Sequence, residues 1–278
     1  MRYASILSLA FVVCAQTADE VTFEVASVKP ADPLDGPLRS GVRIGCRGGP
    51  GTSDPGAWTC RYVNAASLIL GAYNLNSYQT SLADWMRNTM FDVAAKVSAG
   101  ATREQLRQME QHLLEERFRL KVHREQKEMS IYELTVGKSG LKMTESAPDA
   151  DLKQPEEGVV PRLTLNQERF PMFPPGQAGF LGLNGRYHWL ASNVTTAQIV
   201  EKLRGVLNAE VVDATHLTGK YNIDIMWLQG SLNPVSDIDD GPSLQRALQE
   251  KLGLKLDSKK GRVEVLVIDH MEKTPTGN

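Results

Sequence analysis

The chain lacks any apolar run long enough to cross a bilayer, has no excess of one charge sign, and carries only three cysteines and five histidines. Each shortage removes a class of function. Thirty-one Lys and Arg stand against 33 Asp and Glu, so bulk charge draws in neither nucleic acid nor an anionic membrane surface. The zinc-protease pattern of two histidines on one helix turn is missing; "HLLEE" at 112–116 supplies His112 and no partner four residues on. No GxSxG marks a serine nucleophile. "VGKSG" at 136–140 fails as a phosphate loop, because Tyr132 stands where the leading glycine belongs and no helix follows. What is present is an ordinary folding composition, 41% hydrophobic and 23% charged.

The first 16 residues, "MRYASILSLAFVVCAQ", hold one early cation, Arg2, then an apolar run from Ala4 to Cys14 and a small residue at Ala15. This predicts a secretory signal over 1–15, cut after Ala15, and an exported protein, periplasmic or secreted. Lipidation of Cys14 is the weaker reading, because Val13 stands where a small residue is wanted. Removing 1–15 leaves Cys46 and Cys60 flanking "RGGPGTSDPGAWT". In an oxidising compartment such a pair predicts a disulfide that staples a Gly/Pro-rich loop. Two cysteines alone do not fill a tetrahedral metal site.

Along the mature chain, 22–29 alternates as a strand and 31–57 reads as loop. "WTCRYVNA" predicts a strand, "ASLILGAYNL" a short helix, and 90–97 another strand. Residues 102–118 open with a capping box, Thr102 to Gln105, and put Leu106, Met109, Leu113 and Leu114 on one helical stripe. "RLKVHRE" and "SIYELTVGK" then read as two strands of a hairpin. Residues 146–185, rich in proline and glycine, read as a linker or surface excursion. After it the order recurs: strand, a helix capped by Thr195 and Gln198, two strands, a helix over "SLQRALQEKLG", and a closing pair, "LKLDSKK" and "RVEVLVID".

The two halves overlay. "LLEERFRLKVHREQKEMSIYEL" fits "ALQEKLGLKLDSKKGRVEVLVI" without a gap, so that Leu114, Glu116, Leu120 and Lys121 meet Leu248, Glu250, Leu254 and Lys255. "MFDV" answers "KYNIDI", and Asn64 answers Asn193. The expectation is an α+β fold of two similar β-α-β-β-α-β-β units related by internal duplication, helices packed on sheets. Its parts are a first unit over 16–145, the linker over 146–185 and a second unit over 186–278.

"FEVASVKP", "ADWMRNTMFDVAAK", "LLEERFRLKVHRE", "LTGKYNIDIMW" and the ending "ALQEKLGLKLDSKKGRVEVLVIDHMEKT" together resemble the acidobacterial soil-associated family of exported proteins, over about residues 22–274. That resemblance implies no established activity. The family's domain also occurs attached to membrane metallopeptidases of the antibiotic-sensing type, which implies sensing or binding in the envelope. A fainter likeness in element order is to the short periplasmic domains before secretins and TonB-dependent receptors, which bind proteins by edge-strand pairing.

The remaining polar candidates read as structure. His123 aligns with Asp257, an exchange that a catalytic base does not tolerate. "RIGCRGGPG" reads as a turn-rich loop and "SDIDDG" at 236–241 as a helix approach. Trp58, Trp85, Trp189 and Trp227 are the candidate lining of a ligand groove, against a core role. No catalytic, cofactor-binding or metal residues are assigned. The sequence therefore points to a non-enzymatic exported module that binds an envelope protein or small ligand; the alternative is an extracytoplasmic hydrolase assembled from distant residues. A pocket holding a perturbed histidine or carboxylate would favour the enzyme, whereas apolar grooves and open strand edges would favour binding.

Overall fold

The computed structural model describes residues 21–32, 44–147, 164–229 and 241–277. The signal reading over 1–15, Cys14, and Asp237, Asp239 and Asp240 lie outside those residues. The fold is α+β, and the chain divides into two units. One takes residues 1–74, 82–121 and 268–278; the other takes 75–81 and 122–267. This division differs from the boundaries read at 145 and 186, since residues 268–278 fall with the first unit.

In the first unit, strands β1 (Val25–Pro30), β2 (Gly45–Gly48), β3 (Ala57–Asn64) and β4 (Met90–Lys96) form an antiparallel sheet in the order β1-β4-β3-β2. Period-two alternation buries Trp58 and Cys60 of β3 and Phe91, Val93 and Ala95 of β4, and a register break after Cys60 makes Val63 the next buried residue of β3. Helices α1 (Ala65–Ala72), α2 (Asp84–Asn88) and α3 (Arg103–Phe118) complete it. The capping box at α3 is present: Gln105 N donates to Thr102 Oγ1 and Thr102 N to Gln105 Oε1. Met109, Leu113, Leu114 and Phe118 face inward, and Phe118 meets Phe91 edge to face at 5.0 Å. Cys46 and Cys60 stand opposite each other across β2 and β3 and form a disulfide.

In the second unit, β5 (Lys121–Val136) is one continuous strand where a hairpin was expected. The segment 126–128, Gln-Lys-Glu, holds no turn-forming residue, so the chain stays extended. There follow β6 (Thr164–Leu165), β7 (Pro171–Met172), β8 (Gly179–Leu183), β9 (Arg186–Thr195), α4 (Thr196–Leu207), β10 (Val211–Asp213), β11 (Lys220–Leu228) and α5 (Leu244–Ala247), which runs into a π turn over Leu248–Leu252. The closing element, β12 (Leu254–His270), is likewise unbroken. Gly261 within it lies under Ile131, whose Cδ1 would stand 2.3 Å from an added Cβ. The sheets run β10-β5-β12, β11-β9-β8 and β6-β7. The expected linker over 146–185 thus contributes β6, β7 and β8 among its described residues, and Ser146 N donates to Lys220 O at 2.9 Å. Segment 75–81 is tied to this unit by Tyr78 Oη donating to Glu210 Oε2 at 2.8 Å and by a parallel bridge from Thr80 to Leu266.

Local geometry recurs between the two halves of the sequence. Tyr62 in β3 has φ 51° at a break in strand register, and its N donates to Asp92 Oδ1 at 2.8 Å. Asn193 in β9 has φ 56° at a similar break. Its N donates to Ser146 Oγ at 2.9 Å, and that hydroxyl donates to Asn222 Oδ1 at 2.7 Å. Two residues on from each, Asn64 caps α1 and Thr195 caps α4. The helix before β5 ends on Arg119 at φ 52° and the turn before β12 on Gly253 at φ 70°, 134 positions later. Val211 pairs in parallel with Tyr132, and Thr80 with Leu266, again 134 positions after Tyr132.

Candidate functional site

Of the tryptophans, three are interior. Trp58, Trp189 and Trp227 are buried, the last two within the second unit's core, where Trp227 stacks on Tyr187 at 5.5 Å. Trp85 is partly exposed on α2. Trp58 and Trp85 belong to one unit and Trp189 and Trp227 to the other, so the four do not make one groove within a unit. An indole is large and mostly apolar, and a β-sheet's inner face is where it removes most area from water.

The other candidates settle similarly. His123 is exposed beside Glu125 at 3.0 Å, and His112 lies near Glu115. His188 is 1% exposed, its Nδ1 2.8 Å from Pro171 O and its Nε2 2.9 Å from Asp224 Oδ1. Both partners are acceptors, so together they ask both ring nitrogens to donate, which pins β7 to β9 and β11. In the glycine loop, Gly49 N donates to Asp54 O and Ala57 O, and Thr52 N donates to Gly49 O, so these amides are consumed within the loop. Among the described residues, no three His, Cys, Asp or Glu side chains stand where they could hold a metal ion. None of the described helices is long and apolar enough to cross a membrane.

The residue that sequence reasoning passed over is Glu110. It sits on α3 in the helical stripe of Leu106, Leu113 and Leu114, where spacing calls for an apolar side chain. At the same offset, three residues before the ungapped overlay begins, stands Leu244, 4% exposed in the second unit's core. Glu110 borders, through its apolar stem, a void about the size of one water molecule, walled by Val28, Trp58, Leu68, Leu114 and Phe118. Across from it, α1 presents Gly71, whose absent Cβ would stand 3.8 Å from Glu110 Oε2. No hydrogen bond or ion pair holds the carboxyl among the described residues. Burial pushes its pKa up to about 7, against a smaller lowering by Arg107.

A groove adjoins this void in the same unit. It runs between residues 22–26 and α3, with Phe23, Val25, Met109 and Leu113 as apolar lining and His112 and Arg117 among its polar residues. Leu113 lines both spaces. Phe23 stacks on Trp58 at 5.6 Å and so joins the groove's aromatic end to the void's wall. A carboxyl in a position of this kind costs stability.

A family model described as a protein of unknown function (DUF3738) matches residues 66–271. No curated protein and no solved structure matches the chain.

Proposed function

The chain belongs to the DUF3738 family of unknown function, and from its own geometry we propose an exported, non-enzymatic binding module of the bacterial envelope. Its ligand site is the groove between residues 22–26 and α3. The observation that carries this reading is the groove itself, open to solvent and lined by Phe23, Val25, Met109 and Leu113. The disulfide supports an oxidising destination. Sequencing the exported protein from its N-terminus is expected to begin at Gln16. For the groove, titrating n-hexanol as an apolar probe is expected to shift the NMR methyl signals of Met109 and Leu113; unmoved signals at saturating probe would refute it.

A second reading is an extracytoplasmic hydrolase with Glu110 as general acid, which the raised carboxyl pKa favours. The side chains that wall the void are apolar and supply neither nucleophile nor second acid, so the binding reading is preferred. We also propose that the halves arose by internal duplication. The paired left-handed residues Tyr62 and Asn193, the turns at Arg119 and Gly253 and the parallel bridges to Tyr132 and Leu266 support it. An experimental structure placing the Tyr62 and Asn193 bulges at different distances from their helix caps would overturn it.

A further inference from the structure

We infer that the second unit carries a separate site for a small polyhydroxylated carboxylate, a sugar acid, in the cleft between residues 139–142 and 243–250. It does not depend on the groove of the first unit. The cleft measures about 390 Å³ and is lined by two cations, Lys142 and Arg246, one carboxylate, Glu250, and otherwise by serines and glutamines. Backbone clamps its walls together. Gly137 N donates to Gly253 O at 2.8 Å and Lys142 N to Leu252 O at 3.0 Å. Gly253, at φ 70°, comes so close that an added Cβ would stand 2.2 Å from Gly140 O. The "VGKSG" segment, which fails as a phosphate loop, thus supplies Ser139 to one wall.

Charge sets the sign of the ligand. Arg246 Nε donates to Glu250 Oε1 at 2.8 Å, and Lys142 Nζ donates to Glu250 O at 3.1 Å. Glu250 therefore holds both cations while balancing the charge of one. The bond at Nε orients the guanidinium, whose Nη1 and Nη2 have no acceptor among the described residues. Two such donors side by side match the two oxygens of a carboxylate.

The other lining groups call for hydroxyls. Ser243 is 8% exposed, and its Oγ accepts from Arg246 N at 3.3 Å, but its own proton has no acceptor among the described residues. A buried hydroxyl proton in the wall of a cleft asks the ligand for an acceptor. The Ser139 hydroxyl and the Gln249 amide are likewise unbonded there, and Gln245, whose Nε2 donates to Leu256 O at 3.1 Å, keeps its Oε1. Hydroxyls both donate and accept, which suits a wall of serines and side-chain amides. Among the described lining residues there is no aromatic ring to stack on a base and no apolar side chain to cover an acyl chain. The surplus positive charge disfavours an amine or a metal ion.

The test is titration of the full chain with D-glucuronate, D-glucose, D-glucosamine and D-glucose 6-phosphate, read by calorimetry and by the NMR amide signals of Ser139 and Gln249. Glucuronate is expected to move those signals and to bind on the order of tenfold more tightly than glucose, with glucosamine the weakest. Arg246→Gln should remove the preference for glucuronate over glucose, and Lys142→Gln should reduce it. Thermal melts confirm that both variants are folded. Equal affinity for glucuronate and glucose, or a preference that survives Arg246→Gln, overturns the inference. Tighter binding of glucose 6-phosphate than of glucuronate overturns the choice of a carboxylate, and failure of every probe to bind overturns the site. The groove of the first unit is read by other signals, the Met109 and Leu113 methyls under n-hexanol, so either site can fail without the other.

Discussion

At the scale of single residues, Glu110 makes stability depend on pH in a direction opposite to that of most carboxylates. Its folded pKa of about 7 lies above its ordinary value, so its neutral form is the one the fold accepts. Stability from this group is fully present below about pH 4.5 and is lost as pH rises through 7, a change of about 3 kcal/mol. Urea denaturation across that range should show the fall, and Glu110→Leu should flatten it; a wild-type curve that stays level would contradict the assignment. Glu110 falls within the stripe of Leu106, Leu113 and Leu114 that the sequence displays. It was missed because a lone glutamate in a charged helix looks solvated until its neighbours are known. His188 was harder still, since neither Pro171 nor Asp224 is near it in sequence. Replacing it with phenylalanine leaves the Pro171 carbonyl unpaired and should cost about 1–3 kcal/mol by the same denaturation measurement; a change within error would mean that the contacts carry no net stability.

At the scale of elements, local chemistry was readable and continuity was not. The capping residues Thr102 and Thr195 and the left-handed exit at Gly253 act through their immediate neighbours, and the sequence displays those neighbours. Whether β5 and β12 break into hairpins depends on cross-strand partners far away in the chain, such as Glu264 for Arg124 and Glu133 for Lys259. The β2–β3 hairpin carries two testable features. Reduction of Cys46–Cys60, 14 positions apart, should lower stability by about 3 kcal/mol on the loop-entropy account, seen as a shifted midpoint with reductant present. Coincident midpoints would show that the hairpin holds unaided. Gly48 has φ 80°, and an added Cβ would stand 2.0 Å from Ala57 O. Gly48→Ala should therefore cost about 1–3 kcal/mol, measured the same way.

At the scale of the whole molecule, the chain leaves the first unit and comes back to it. Glu272 N donates to Phe118 O and Thr276 N to Arg117 O, each at 2.7 Å, while Arg117 Nη1 donates to Gly277 O at 2.8 Å. The first two use carbonyls at the end of α3 that have no partner within the helix. Deleting residues 271–278 should therefore reduce hydrogen-exchange protection in α3, in the other half of the sequence, and leave α4 unaffected; equal loss in both helices would count against this connection. The split of the first unit could not be read from composition, because the tail is held mostly by backbone bonds, with the Thr276 hydroxyl donating to Glu116 O at 3.2 Å beside them. It has a consequence for the order of synthesis. A ribosome releasing the chain from its N-terminus withholds the piece that finishes the first unit until almost everything else has been made. A chain threaded outward through an export channel would meet the same delay, and its first unit would stay incomplete, and so threadable, until residues 268–278 followed.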